Sequence, residues 1–413
     1  MADNSLQIFL NQVFTLTSER CGPIFTAKIN LLHKERERIL EDSWKVVSPE
    51  NLDDQDKQII FREIDFDTMV FHAIHFIDQE EYPTYLYEVC ELAIGFGQFE
   101  KAQRLLSLIQ NQYSKYVDKN LFPKVHQRFG DIAFYQSDYK ISLEEYERAL
   151  QLYTDLNNIE GLIAIKNSMA VVKTEKGEVQ VAEQLFNEAL TLAKQEGVND
   201  LRLKIRMNLG NVLHIQGSYA KALSNFHDAL ALVSEEDHVA RARITHNIGI
   251  VFKSQGVNDR ALAEFEKSIK LSIKANNRYQ KGLSYLEKAE ILYRTGDLLS
   301  STALATSAFQ IFSTLQDRLS IADVYKIFGL ISKKRKENEI AISYLEHSKR
   351  INQDYHNPLN LGETLYELAQ LYTDEENIND ALKNYNLALD EFESINAQQK
   401  IKEVRQAISG ITA

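Results

Sequence analysis

The chain has 413 residues with 47 basic and 59 acidic side chains, and its net charge of −12 opposes nonspecific binding to nucleic acid or an anionic membrane surface. Two cysteines, Cys21 and Cys90, exclude a disulfide framework and point to a reducing compartment. The 16 glycines and 5 prolines, with no proline between Pro123 and Pro358, are too few for a loop-rich chain and suit helices joined by short turns.

The first residues, Met1-Ala2-Asp3-Asn4-Ser5, place an acid where a secretory leader needs basic residues. No apolar run is read as approaching the ~18 residues of a membrane span, so the expected address is the cytoplasm. Residues 1–82 read as three helices. Leu6, Phe9, Leu10 and Val13 share one face. Phe25, Ile29, Leu32 and Ile39 share a second, in a helix opened by Gly22-Pro23. Ile60, Ile64, Phe71 and Ile74 form a third, after a break at Ser48-Pro49-Glu50-Asn51. Trp44, the one tryptophan, is expected in the core or cap of this segment.

From Pro83 a repeat takes over. Its first helix is centred on a small residue, at Cys90, Gly130, Ala170, Gly210, Gly249, Ala289, Gly329 and Ala369, with separations of 40 residues broken once by 39. Seven residues after each lies a turn position: Gly97, Ser137, Gly177, Gly217, Gly256, Gly296, Lys336 and Glu376. Twelve after each comes the small residue of a second helix, among them Ala182, Ala222 and Ala261. Sixteen after each comes a bulky apolar residue in seven repeats of eight, such as Tyr146, Phe226 and Phe265. Small residues at the crossings let helix axes approach while the bulky residue fills the groove, and each pair must stack on its neighbour to bury its apolar face. Repeat 6 carries Ala305 at the bulky position, so its second helix either buries less, weakening the joint or admitting a partner's side chain, or packs more closely. In residues 396–413, Ile401, Val404 and Ile408 share one face of a polar-backed capping helix.

This pattern resembles the tetratricopeptide repeat in a long, 40-residue form, over residues 83–395. The family's small-residue positions, second-helix aromatic and turn glycine are present, while the proline that often follows the second helix is missing. Shared between two helices, the ~6 residues beyond the usual repeat lengthen each by about 4–5 Å. The resemblance implies an all-α, right-handed α-solenoid of about eight helix pairs, with residues 1–82 as an N-terminal helical segment and 396–413 as a capping helix and tail.

The resemblance further implies that the first helices line a concave groove, through the residues six and three before the small residue and one, four and five after it. In repeats 4 to 7 these positions supply Lys204, Arg243, Lys253, Arg294, Lys326, Lys333 and Lys334, against Glu290 and Asp323. In the other repeats they supply only Lys124, against Glu91, Asp131, Glu175, Glu363 and Asp374. A groove basic in its middle and acidic towards its ends is therefore expected. Asn208, Asn211, His214, His246, Asn247 and Tyr293 fall in the same middle repeats, and an asparagine amide offers a peptide backbone both a donor and an acceptor. Asn208-Leu-Gly-Asn211 and Asn247-Ile-Gly249 resemble the peptide-gripping asparagines of Pins/LGN-type adaptors and Rap-type bacterial peptide sensors.

Catalytic chemistry has no comparable footing. The chain lacks Gly-x-Ser-x-Gly, His-Glu-x-x-His and Cys-x-x-Cys, and Gly95-Phe-Gly97 sits at a repeat turn without phosphate-loop spacing. His72 and His75 lie one helical turn apart behind Asp65 and Asp67, a spacing a metal site can use, but apolar residues flank both. Lys333-Lys334-Arg335-Lys336 resembles a basic nuclear signal at a repeat turn. The expected function is a non-enzymatic adaptor without cofactor or metal. Its preferred contacts are Lys204, Asn208, Asn211, His214, Arg243, His246, Asn247, Lys253, Tyr293, Lys326 and Lys333. The expected partner is a protein or peptide with acidic residues, with no nucleic acid and no membrane insertion, and self-association is left open. The alternative is a peptide-responsive regulator whose N-terminal helices act on a partner protein.

Overall fold

A computed structural model describes the backbone of residues 2–47, 54–395 and 397–412, and side chains from residue 5 onward except those of 36–37, 40–61, 396 and 412. The Trp44 and Ile60 side chains and residues 48–51 of the expected break lie outside what is described. The chain divides into two compact units, 1–205 and 206–413. The boundary falls inside a repeat helix.

The first unit begins with α1 (Ala2–Cys21), α2 (Pro23–Val47) and α3 (Asp54–His72). Repeat helices follow as α4 (Tyr82–Gly95), α5 (Phe99–Gln112), α6 (Leu121–Tyr135), α7 (Tyr139–Asp155), α8 (Ile159–Glu175) and α9 (Val179–Gln195). Helix α10 (Asn199–Ile215) crosses the boundary. The second unit continues with α11 (Tyr219–Leu232), α12 (His238–Ser254), α13 (Asn258–Lys274), α14 (Arg278–Thr295) and α15 (Leu298–Leu315). It ends with α16 (Arg318–Lys334), α17 (Asn338–Asp354), α18 (Pro358–Asp374), α19 (Ile378–Ser394) and α20 (Gln398–Thr412).

Regular repeats use 17-residue helices separated by three-residue turns, so the 40-residue unit is two equal halves of 20. Some turns are set from both sides. All eight expected turn positions have positive φ, including the non-glycines Ser137, Lys336 and Glu376. At several helix starts an Asp or Asn caps the helix: Asp138, Asn158, Asp237, Asn277 and Asp317 each accept a hydrogen bond from a backbone N–H three residues on. The turns between repeats also reach positive φ, at Asn157, Gly197, Asn276, Gln316 and His356, a regularity the reading by whole repeats overlooked.

The small-against-bulky register is a packing contact. A Cβ on Gly210 would sit 2.6 Å from the Phe226 ring, and one on Gly249 would sit 2.7 Å from Phe265. Gly130 stands in the same relation to Tyr146 at 2.5 Å, and Gly329 to Leu345 at 2.7 Å. The spacing of sixteen residues thus marks where two helices of a hairpin touch. Repeat 6 takes the closer-packing course: Ala305 is fully buried, Ser301 Oγ donates to the Ala289 carbonyl at 2.7 Å, and Phe312 fills the interior against Gly282.

Helices α1–α3 share one core with the first repeats. Phe9, Val13, Phe25, Ile29 and Phe66 are buried together with Tyr85, Leu86 and Val89. Tyr82 donates to the Val70 carbonyl at 3.1 Å, and Thr17 bonds Tyr85 at 2.8 Å. Two expected faces shift here. Ile39 is exposed, and the buried face of α3 is Phe66, Met69 and Val70, with Ala73 just beyond it, while Ile64, Phe71 and Ile74 are only half-buried. At the other end, Ile401 and Val404 of α20 are buried against the α18–α19 hairpin, with Ile408 beside them.

One expectation needs correcting: α15 is uncharged over 18 residues and is long and apolar enough, by length and composition, to cross a membrane. Its Ser, Thr and Ala content had hidden this. The helix packs as the second arm of a hairpin, burying Ser301, Ala305, Ala308 and Phe312.

Candidate functional site

The first helices of neighbouring repeats in the second unit are tied together by charges at two fixed spacings. Lys253 on α12 reaches Glu287, 34 residues on, and Glu290, 37 residues on, the latter at 2.8 Å. Lys333 on α16 repeats the pattern, donating to Glu367 at 3.4 Å and to the Gln370 side-chain oxygen at 2.9 Å. Lys326 bonds Glu363 at 2.8 Å, again 37 residues on. These side chains are 17–31% exposed, so their charges interact at a reduced effective dielectric. Burial opposes the charge on Lys253, but Glu287 and Glu290 outweigh it and hold its pKa above the usual lysine value. Lys326 is held up in the same way, chiefly by Glu363. Burial wins at Glu287, whose pKa is raised despite Lys253, whereas Glu290 and Glu363 are lowered by their lysines.

These ladders border a cavity of about 570 Å³ formed by α12, α14, α16, α18, α19 and α20. Lys253, Arg294, Lys326 and Lys400 supply its positive charge. Glu287, Glu290, Asp323, Glu363, Glu367 and Glu403 supply its negative charge, so carboxylates are in excess. Asp323 accepts a hydrogen bond from Asn360 Nδ2 at 2.9 Å, and burial pushes its pKa up to about 6. The same type of surface in the first unit is closed: Arg128 bonds both carboxylate oxygens of Glu91 and also Asp131, which in turn accepts from the Tyr146 hydroxyl at 2.6 Å.

Residues 201–274 match the family model of the tetratricopeptide repeat. The repeats of that segment are tetratricopeptide repeats. Curated relatives match short stretches: the photosystem I assembly protein Ycf3 of Acaryochloris marina is 38% identical over 63 residues, 15% of this chain and 37% of that protein. The Ycf3 of Rippkaea orientalis is 43% identical over 56 residues, so the chain spans about a third of the length of the curated relatives it matches. Solved tetratricopeptide-like structures match far more of it. The apo quorum sensor NprR from B. thuringiensis aligns with a TM-score of 0.63 at 16% identity, over 82% of this chain and 94% of that one. The Rap conjugation gene regulator of plasmid pLS20, in complex with the Phr* peptide, gives 0.55 at 16%, over 79% and 95%. Aspartyl phosphate phosphatase F from Bacillus subtilis gives 0.57 at 15%, over 96% and 95%. At these identities the likeness is one of fold.

Within the tetratricopeptide frame, the five expected groove positions do contribute to the cavity wall: Asp323 and Glu363, Lys326, Glu290, Lys253 and Arg294 occupy them in turn. A sixth position, two residues before the small residue, was read for its asparagines Asn208 and Asn247 but not for its charges. It supplies Glu287 and Glu367 to the cavity and Arg128 to the first unit. The spacings of 34 and 37 residues between a lysine and its carboxylates could have revealed it.

The expected basic centre is therefore corrected. Lys253, Lys326 and Lys333 are bound by carboxylates, and Arg294 bonds Glu290. Lys334 donates to the Tyr293 carbonyl at 3.0 Å and stands 4.9 Å over the Tyr293 ring, so the basic run at this turn is spent on local contacts. Arg243 is exposed with no recorded partner, and Lys204 is exposed in the first unit. Asn247 donates to Asn211 at 3.3 Å, and His214 bonds Ser254 at 2.8 Å. Asn208 is half-buried and engaged.

His246 does not belong to the surface. It is buried, packs on Phe265 and bonds Ser284 at 3.0 Å, and burial together with Lys253 drives its pKa down to about 4. Ser284 donates to Ser268, and Ser268 to the Ala242 carbonyl, so His246 Nδ1 is the donor to Ser284. His72 and His75 pack ring to ring at 5.2 Å beside Phe25 and Phe76, and among the described residues no group of three His, Cys, Asp or Glu is placed to hold a metal.

Proposed function

We propose that this is a non-enzymatic protein-interaction protein whose second unit holds a peptide segment of a partner against the first helices of its tetratricopeptide repeats. The cavity at the ionic ladders supports this most directly: it has the size of a ligand site, and its polar groups are fixed in place by one another before anything binds. The exposed amide of Asn211, its neighbour Asn247 and the unpaired Arg243 extend the polar surface along α10 and α12. The partner envisaged at the cavity differs from the acidic one first expected, because carboxylates are in excess there.

A pool of random heptapeptides passed over the immobilised full chain tests this reading. Retention of a defined subset is expected, and the Asn211→Ala/Asn247→Ala variant, with helicity unchanged, should retain fewer of them. A chain that retains no peptide in any pool would not be a peptide holder. A second reading, a peptide-responsive regulator, is favoured by the core that α1–α3 share with repeat 1. Movement of those first repeats would be transmitted to the N-terminal helices.

A further inference from the structure

Five of the six carboxylates lining the cavity have a cation. Glu287 and Glu290 share Lys253, Glu363 takes Lys326 and Lys400, Glu367 takes Lys333, and Glu403 approaches Lys400 at 3.9 Å. Asp323 has none. No lysine, arginine or histidine nitrogen among the described residues lies within 4.0 Å of it, because Lys326, on the same helix, points its ammonium to Glu363. Its one recorded partner is the neutral amide of Asn360 at 2.9 Å, which meets Oδ1. Lys326 offsets the Asp323 charge only from beyond bonding distance and burial prevails, and a half-buried carboxylate without a bonded cation is unfavourable unless something completes it.

We infer that Asp323 is the receiving point for a cationic side chain, Lys or Arg, of the peptide bound in this cavity. The inference rests on the peptide-holding reading above and specifies its ligand chemistry. The walls fit such a side chain: Leu286, Ile327, Leu330 and Tyr366 line the same cavity and offer apolar surface to a methylene stem, while the charged head meets Asp323. The excess of carboxylates favours an incoming positive charge and disfavours a negative one.

The groups around Asp323 set how capture should follow pH. On its own helix they are Lys326 and the cap Asp317; from α14, Glu287 and Glu290; from α18, Glu363 with Asn360. Lys253 of α12 and Lys400 and Glu403 of α20 complete the lining. Protonation of Asp323 removes the one lining carboxylate that has no cation in bonding distance, so capture of a cation should weaken as pH falls through about 6.

The test uses the full chain and the heptapeptide pool made twice, once acetylated and once free at the N-terminus, with retained peptides sequenced by mass spectrometry. Near neutral pH, retained peptides from both pools are expected to be enriched in Lys and Arg by about threefold or more over input, and Asp323→Asn should abolish the enrichment. A bias confined to the free pool would overturn the side-chain assignment in favour of an N-terminal ammonium. Peptides retained without basic bias, or with equal bias on the Asp323→Asn chain, would overturn the inference and leave the peptide-holding reading standing. No retention at all would overturn both. If Asp323→Asn lost helicity, the wild-type chain decides alone: its basic bias should be lost at about pH 5, and a bias that persists there would count against Asp323.

Discussion

Arg128 in the first unit and Asp323 in the second stand on equivalent first-helix surfaces, and their surroundings differ in one respect. Arg128 is gripped by Glu91 and Asp131, and the Tyr146 hydroxyl closes the cluster, so each carboxylate there is bonded directly to a cation. Around Asp323 the lysines bond other carboxylates, and Asp323 itself is left with only a neutral amide in bonding distance. A saturated cluster stabilises the fold. An unsaturated one costs stability and gains a use only when something arrives.

The comparison is broken most severely at Arg128. Arg128→Met should leave Glu91 and Asp131 facing each other, at roughly 2–4 kcal/mol measured by urea unfolding, because the guanidinium is 29% exposed and screening trims the cost of a fully buried pair. A loss below about 0.5 kcal/mol would mean that the cluster is ornamental. A matched pair at the helix seam comes next. Gly130→Ala and Gly210→Ala both press a methyl into a ring, but only Tyr146 carries a hydroxyl bonded to Asp131. Gly130→Ala should therefore cost about 1 kcal/mol more than Gly210→Ala in parallel denaturation curves. Equal losses would detach Tyr146 from the charge cluster.

In the second unit the sign reverses. The folded chain holds the Asp323 proton more tightly than the unfolded chain does, so ionised Asp323 costs stability. That cost is absent below the ordinary carboxylate pKa of 3.8 and complete above about 6. At neutral pH, Asp323→Asn should stabilise the protein by about 1–2 kcal/mol, and the gain should vanish by about pH 4. A variant less stable than wild type at pH 7 would show that the carboxylate is compensated. The smallest effect is expected at Arg243→Ala: exposed and unpaired, it should shift stability by less than about 0.5 kcal/mol.

The hairpin register was legible because its partners are sixteen residues apart and differ in size, so Gly210 and Phe226 announce each other. The turns were legible for a similar reason, since each needs its own left-handed residue. Ile39 and Phe71 were misread because α2 and α3 have no repeat to fix their phase, and the faces they bury are chosen by distant partners such as Phe9 and Tyr85. The charge of the surface was misread for a different reason. Counting each repeat by itself separated Lys326 from Glu363, which belong to neighbouring repeats and neutralise each other, and left out the position that holds Glu287.

The equal 20-residue halves make the backbones of the repeats interchangeable, yet their order is written into the charges. Remove one 40-residue unit between Lys253 and repeat 7, and the helices could still stack. Lys253 would then meet Ile327 and Leu330, which occupy the positions that Glu287 and Glu290 hold now. The joints of repeats 1–2, 5–6 and 7–8 carry their own ionic keys, so a shuffled or shortened array would pay at the mismatched locks, and the order of those repeats is protected by side chains that do nothing to form them.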